Sequence, residues 1–161
     1  MVTSGEKWGF APISGVKIMF MGEYQHALDS KGRLFIPVKL RDDLGERFII
    51  TRGLDQCLFV YPLSEWTRLE HKLKNLPLSK GEARAFVRFF FAGAIDCELD
   101  KQGRVLVPPY LRAYANIERE AVILGVSNRV EIWDQSTWED YSSQVSANYA
   151  KLAEKMVDFG L

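Results

Sequence analysis

Apolar residues recur along this chain with two spacings. Short runs between an arginine and a proline, Leu34-Phe35-Ile36 before Pro37 and Val105-Leu106-Val107 before Pro108, predict brief strands. Strands are also predicted over Phe20–Leu28, Phe48–Thr51, Leu58–Tyr61, Ala92–Leu99, Val122–Leu124 and Val130–Trp133. Short helices follow the two prolines, over Pro37–Leu44 and Pro108–Ala115, with Gly45 placed to stop the first. A spacing of three and four then takes over. Trp66, Leu69, Leu73 and Leu76 mark one face of a helix over Ser64–Leu76, stopped by Pro77. Ser79-Lys-Gly-Glu82 has the form of a capping box for a second helix ending near Gly93. That helix carries Phe86, Phe89, Phe90 and Phe91, so it must be buried in the core or against another subunit. Ser136-Thr-Trp-Glu139 is a further capping box, and Trp138, Tyr141, Val145, Tyr149, Leu152 and Met156 carry an apolar stripe onward.

These elements occur twice. Leu28–Arg41 matches Leu99–Arg112 at an offset of 71, aligning Asp29 with Asp100, Gly32 with Gly103, Arg33 with Arg104, Pro37 with Pro108 and Arg41 with Arg112. Phe20/Phe91 and Gly22/Gly93 extend the match upstream; after a one-residue slip, Gly53/Gly125, Ser64/Ser136 and Trp66/Trp138 continue it. This is an internal duplication. Each copy reads strand, turn, strand, short helix, strand, turn, strand, longer helix. The divisions expected are an extension over residues 1–18, unit one over 19–76, a linking helix over 77–92, unit two over 93–138 and a helical extension over 139–161. Units of about 70 residues are marginal alone, so the two are expected to share one core.

In each repeat, Asp29 or Asp100 opens a tight turn, and Gly32 or Gly103 supplies the positive φ that closes it. The arginine after each glycine is not required by the turn. Lys31 and Arg33 straddle one glycine; Lys101 and Arg104 straddle the other at slightly different spacing. A guanidinium at a hairpin tip suits guanine edges and phosphates. The same arginine could instead pair with the aspartate four residues before it, or simply be solvated.

Lys plus Arg equal Asp plus Glu at 21 each, so there is no global basic field, and nucleic-acid contact would need local patches or their multiplication by assembly. Arg68–Arg88 carries six cations against two acids, and Glu131–Leu161 six acids against two lysines, an asymmetry that invites contacts between neighbouring subunits. Hydrophobic content of 47% and four Trp indicate a packed globule. Residues 1–18 have no basic block or apolar run of signal-peptide type, and no segment is of membrane-spanning length.

Catalytic chemistry finds no footing. Asp29 and Asp100 have no repeated His, Cys or Ser to work with. His26 and His71 stand alone, and Cys57 and Cys97 lack ligand spacing, so neither a metal nor a cofactor is expected. One glycine per turn does not make a phosphate-binding loop.

The doubled Asp-x-x-x-Arg, each followed by apolar residues and proline, resembles the MraZ family of bacterial transcriptional regulators. Met19-Phe20-x-Gly22 is similar to that family's opening. The resemblance implies an α+β chain whose two units build a SpoVT/AbrB-like swapped-hairpin β-barrel with flanking helices, assembled into a ring-like homo-oligomer. It also implies a cytoplasmic, nucleoid-associated protein that binds repeated double-stranded DNA sites upstream of the division and cell-wall gene cluster. Carried across, the DNA-reading residues are Lys31, Arg33, Lys101 and Arg104, supported by Asp29, Gly32, Asp100 and Gly103. The rival is a ring scaffold built on the Phe-rich helix with merely solvated basic turns. No membrane or small-molecule substrate is expected as a partner.

Overall fold

A computed structural model of the chain describes residues 18–161. All but Ile18 of the expected N-terminal extension lies outside the described residues. The architecture is α+β. In chain order the elements are β1 (Phe20–Ala27), β2 (Arg33–Phe35), α1 (Val38–Leu44), β3 (Arg47–Arg52), β4 (Leu58–Pro62), α2 (Leu63–Lys74), α3 (Gly81–Ala92), β5 (Ile95–Glu98), β6 (Arg104–Leu106), α4 (Pro109–Tyr114), β7 (Glu120–Ser127), β8 (Arg129–Asp134) and α5 (Gln135–Lys155). A 3₁₀ turn over Met156–Phe159 follows.

The strand order exposes the duplication. Six strands form one antiparallel sheet in the order β1-β7-β8-β4-β3-β5, and β2 pairs with β6 in a separate ribbon. Exchanging the units reverses this order and leaves it unchanged: β1 corresponds to β5, β3 to β7, and β4 to β8. The first strand of each unit therefore pairs with a strand of the other. Phe20 lies opposite Ser127 and Ala27 opposite Glu120 on one side; Arg47 lies opposite Glu98 on the other. Neither unit completes its own sheet.

Period-two alternation along the strands splits the buried residues between two faces. Phe48, Ile50, Leu58, Val60, Ile123, Val130 and Ile132 form one core with Leu34 and Ile36 of the first ribbon region and Val105 and Val107 of the second. Leu40, Leu44 and Leu111 seal this core from α1 and α4. Phe59, Tyr61, Val122, Leu124 and Trp133 face the opposite way, where Trp66, Leu69 and Leu73 of α2, Phe90 of α3 and Trp138 of α5 cover them.

Three local expectations are corrected. The Ser79 capping box does not form: α3 is preceded by Lys80 in an extended conformation, with no side-chain cap. The Ser136 box is displaced two residues upstream. Asp134 caps α5, its carboxylate accepting from the Thr137 amide at 3.2 Å and from the Ser136 hydroxyl at 2.7 Å. A carboxylate at the end of β8 outcompetes a hydroxyl that is itself a donor to it. The expected strand over Ala92–Leu99 starts only at Ile95, because α3 keeps its hydrogen bonds to Ala92 and Gly93 ends it.

The Phe-rich helix is only partly covered within one chain. Phe90 is buried, stacked on Phe86 at 5.6 Å and on Trp66 at 5.7 Å. Phe86 and Phe89 remain 42% and 54% exposed.

Candidate nucleic-acid interface

Each Asp-x-x-x-Arg turn is wired in the same way. The Asp29 carboxylate accepts from the amides of Lys31 and Arg33, both at 2.9 Å, through Oδ1, and from Arg33 Nε at 2.7 Å through Oδ2. In the second copy Asp100 accepts from the amides of Gln102 and Arg104 and from Arg104 Nε, all at 2.9 Å. Gln102 thus takes the place of Lys31, and Lys101 that of Ser30. Both lysines are exposed. Gly32 and Gly103 close the turns at φ of +84° and +78°.

This wiring is an anion's environment. The Arg33 amide, the largest contributor, together with the Arg33 guanidinium holds the Asp29 carboxyl down at about 2. The Arg104 amide chiefly lowers Asp100 likewise. Both aspartates are therefore charged at neutral pH and hold their arginines by Nε, the inner edge of the guanidinium.

The ribbon brings the two arginines together. Arg33 lies opposite Leu106, Leu34 opposite Val105 and Phe35 opposite Arg104. Alternation sends Leu34 and Val105 into the core and leaves Arg33, Phe35, Arg104 and Leu106 on the outer face. There Arg104 Nη1 also comes within 3.6 Å of Asp29 Oδ2, so the first aspartate holds both arginines. The side chains of Arg33 and Arg104 stay 31% and 27% exposed. Four cations, Lys31, Arg33, Lys101 and Arg104, against two carboxylates make the ribbon face locally basic.

A second arginine pair supports the tips. Arg41 Nε donates to the Ile36 carbonyl at 2.8 Å, and Arg112 Nε to the Val107 carbonyl at 2.9 Å. The Arg41 guanidinium stacks 4.5 Å from the centre of the Phe35 ring. Each crosses to the other unit's turn, Arg41 over Gly103 and Arg112 over Gly32. Sequence reasoning did not assign these two a role, although both occur at the repeat offset, which was the signal available. Among the described residues, no three His, Cys, Asp or Glu side chains gather to hold a metal ion, and no helix is long and apolar enough to cross a membrane.

Residues 19–89 and 90–160 each match the sequence profile of one family, described as "MraZ protein, putative antitoxin-like". The chain belongs to the MraZ family. It is 62% identical over 143 residues to the transcriptional regulator MraZ of Pelotomaculum thermopropionicum, covering 89% of this chain and 99% of that one. It is 58% identical to the protein of the same name from Moorella thermoacetica, covering 89% and 100%, and 61% identical to that of Desulfitobacterium hafniense, again 89% and 100%. The two MraZ matches meet between Phe89 and Phe90, inside α3, so that helix links two copies of one family unit.

Proposed function

We propose that this chain is a sequence-specific DNA-binding transcriptional regulator, and that Arg33 and Arg104 are its base-reading side chains. The reading rests on one observation: two arginines from two repeats share one solvent-facing ribbon, each held at Nε by its own turn aspartate. A guanidinium fixed by its inner edge presents its Nη groups in a set direction and loses little freedom on meeting a guanine edge. Lys31 and Lys101, on the same turns, reach for phosphates as point charges. The regulator name carried by the relatives supports the same function.

The exchanged strands and the β2–β6 ribbon support the swapped-hairpin barrel implied by the resemblance, in a cytoplasmic, nucleoid-associated protein. Two tips on a chain of zero net charge give a weak grip, and a ring-like homo-oligomer multiplies it by raising the effective concentration of linked tips. Repeated sites upstream of division and cell-wall genes are the targets of that arrangement.

The test is a gel-shift titration on the region upstream of the protein's own gene, with Arg33→Ala and Arg104→Ala beside the parent chain. Loss of a bidentate base contact is expected to weaken binding by about 1–3 kcal/mol, with a steep fall in affinity as salt rises. Unchanged affinity in both variants overturns the assignment. The absence of salt-dependent duplex binding favours the scaffold instead.

A further inference from the structure

The outer face of the β2–β6 ribbon presents side chains at the corners of a square. The register places Arg33 opposite Leu106 and Phe35 opposite Arg104. The arginines thus hold one diagonal and the two apolar residues the other. Exchange of the repeats turns this square onto itself, since Phe35 and Leu106 are equivalent at the offset of 71.

The two apolar corners are nonetheless treated differently. The Phe35 ring lies 5.0 Å from that of His26, and the Arg41 guanidinium stacks over it. In the second repeat Cys97 stands where His26 does, and it is buried in the core. Arg112 stands where Arg41 does, but a leucine offers a guanidinium no ring to stack on. Leu106 is left 56% exposed.

A single exposed leucine on ordinary surface means little. Leu106 has a particular setting, with Arg33 across the ribbon and Arg104 two residues back along its own strand. Both guanidinium groups are tied to aspartates at Nε and leave the leucine bare between them. A two-stranded ribbon fits the major groove, where the apolar group on a base edge is the C5-methyl of thymine. An apolar side chain held among base-reading arginines matches that group.

We propose that Leu106 is a specificity-determining residue, packing on the C5-methyl of a thymine about one or two base steps from the guanine met by Arg33. The spacing follows from the register: opposite side chains start about 5 Å apart, and successive bases of a strand lie about 3.4 Å apart. This deepens the function proposed above and rests on Arg33 and Arg104 reading bases.

Replacing thymine by uracil deletes the methyl and keeps every hydrogen-bonding group of the base. The test is a gel-shift titration of the full chain on the region upstream of its own gene, each thymine of the footprint replaced in turn by uracil. Parent and Leu106→Ala are compared; the substitution trims an exposed side chain and leaves the core untouched. At one position uracil should weaken the parent about four-fold, the worth of one buried carbon, and leave Leu106→Ala unchanged. A parent indifferent to uracil at every position, or an equal loss in Leu106→Ala, overturns the proposal. Arg33→Ala and Arg104→Ala are titrated on the unmodified site in the same series. If these weaken while the uracil scan is flat, the Leu106 assignment alone falls. If they bind as the parent does, or the parent does not bind, the base-reading assignment falls and this proposal with it.

Discussion

The guanidinium of Arg112, from the second repeat, lies 3.0 Å from the point where a Cβ on Gly32, from the first, would stand. Arg41 makes the reciprocal contact over Gly103, closer still. Backbone bonds cross beside them, from the Ile36 amide to the Gly103 carbonyl and from Val107 to Gly32, both at 2.9 Å. Each Asp-x-x-x-Arg turn is therefore closed by the other repeat, and the two tips hold their shape as a pair.

Gly103→Ala should destabilise the fold by about 1–3 kcal/mol, since the new methyl meets both a positive φ and the Arg41 guanidinium. Gly160 has φ of +95° but nothing within 4 Å of its missing Cβ, so Gly160→Ala should show the backbone cost alone. Guanidinium chloride denaturation separates the two, and equal midpoints would mean that Arg41 yields freely.

Asp29, held at about 2, contributes stability that is fully present above the ordinary carboxylate range near 4 and is lost as pH falls toward 2. Below that value folded and unfolded chains both bind the proton, and the contribution vanishes. The parent should lose stability between about pH 4 and pH 2 more steeply than Asp29→Asn, with the difference between them greatest at neutral pH. A denaturation series against pH checks the sign.

Glu131 is a buried carboxylate that accepts from Arg129 Nε and Trp133 Nε1, both at 2.9 Å. Glu131→Ala leaves a partly buried guanidinium and an indole N–H without their acceptor, and should cost about 2–3 kcal/mol. Glu131→Gln retains an acceptor and should cost less. Thermal melts of the two variants give the comparison.

Burial pushes the Cys97 thiol up to about 11 and the Cys57 thiol higher again, the charge of neighbouring Glu131 adding to the latter. Both should react with a disulfide reagent at pH 8 only slowly in the native protein and fully in denaturant. Rapid native labelling of either would mean that its part of the core opens readily.

The repeat itself displayed the turns and their arginines, because a tight turn is a local problem. An aspartate, a glycine in positive φ and the amides between them settle within five residues, and both copies solve it alike. The aligned Arg41 and Arg112 carried a signal too, yet their role depends on a partner about 60 or 80 residues away in the chain, which no spacing reveals. The Ser136 capping box misled for a related reason: a hydroxyl caps only if no stronger acceptor stands nearer, and Asp134 does.

By itself, then, the sequence determined that one unit occurs twice, that each copy ends a turn in an arginine, and that apolar runs alternate with the period of strands around it. Only the tertiary structure decided that each unit lends its first strand to the other, that Arg33 and Arg104 share one face of a ribbon, and that Asp29 reaches both. Hydrogen bonds within a turn are written in neighbouring residues. Strand exchange is chosen by which edges remain unpaired once the chain has collapsed, and that choice belongs to the whole molecule.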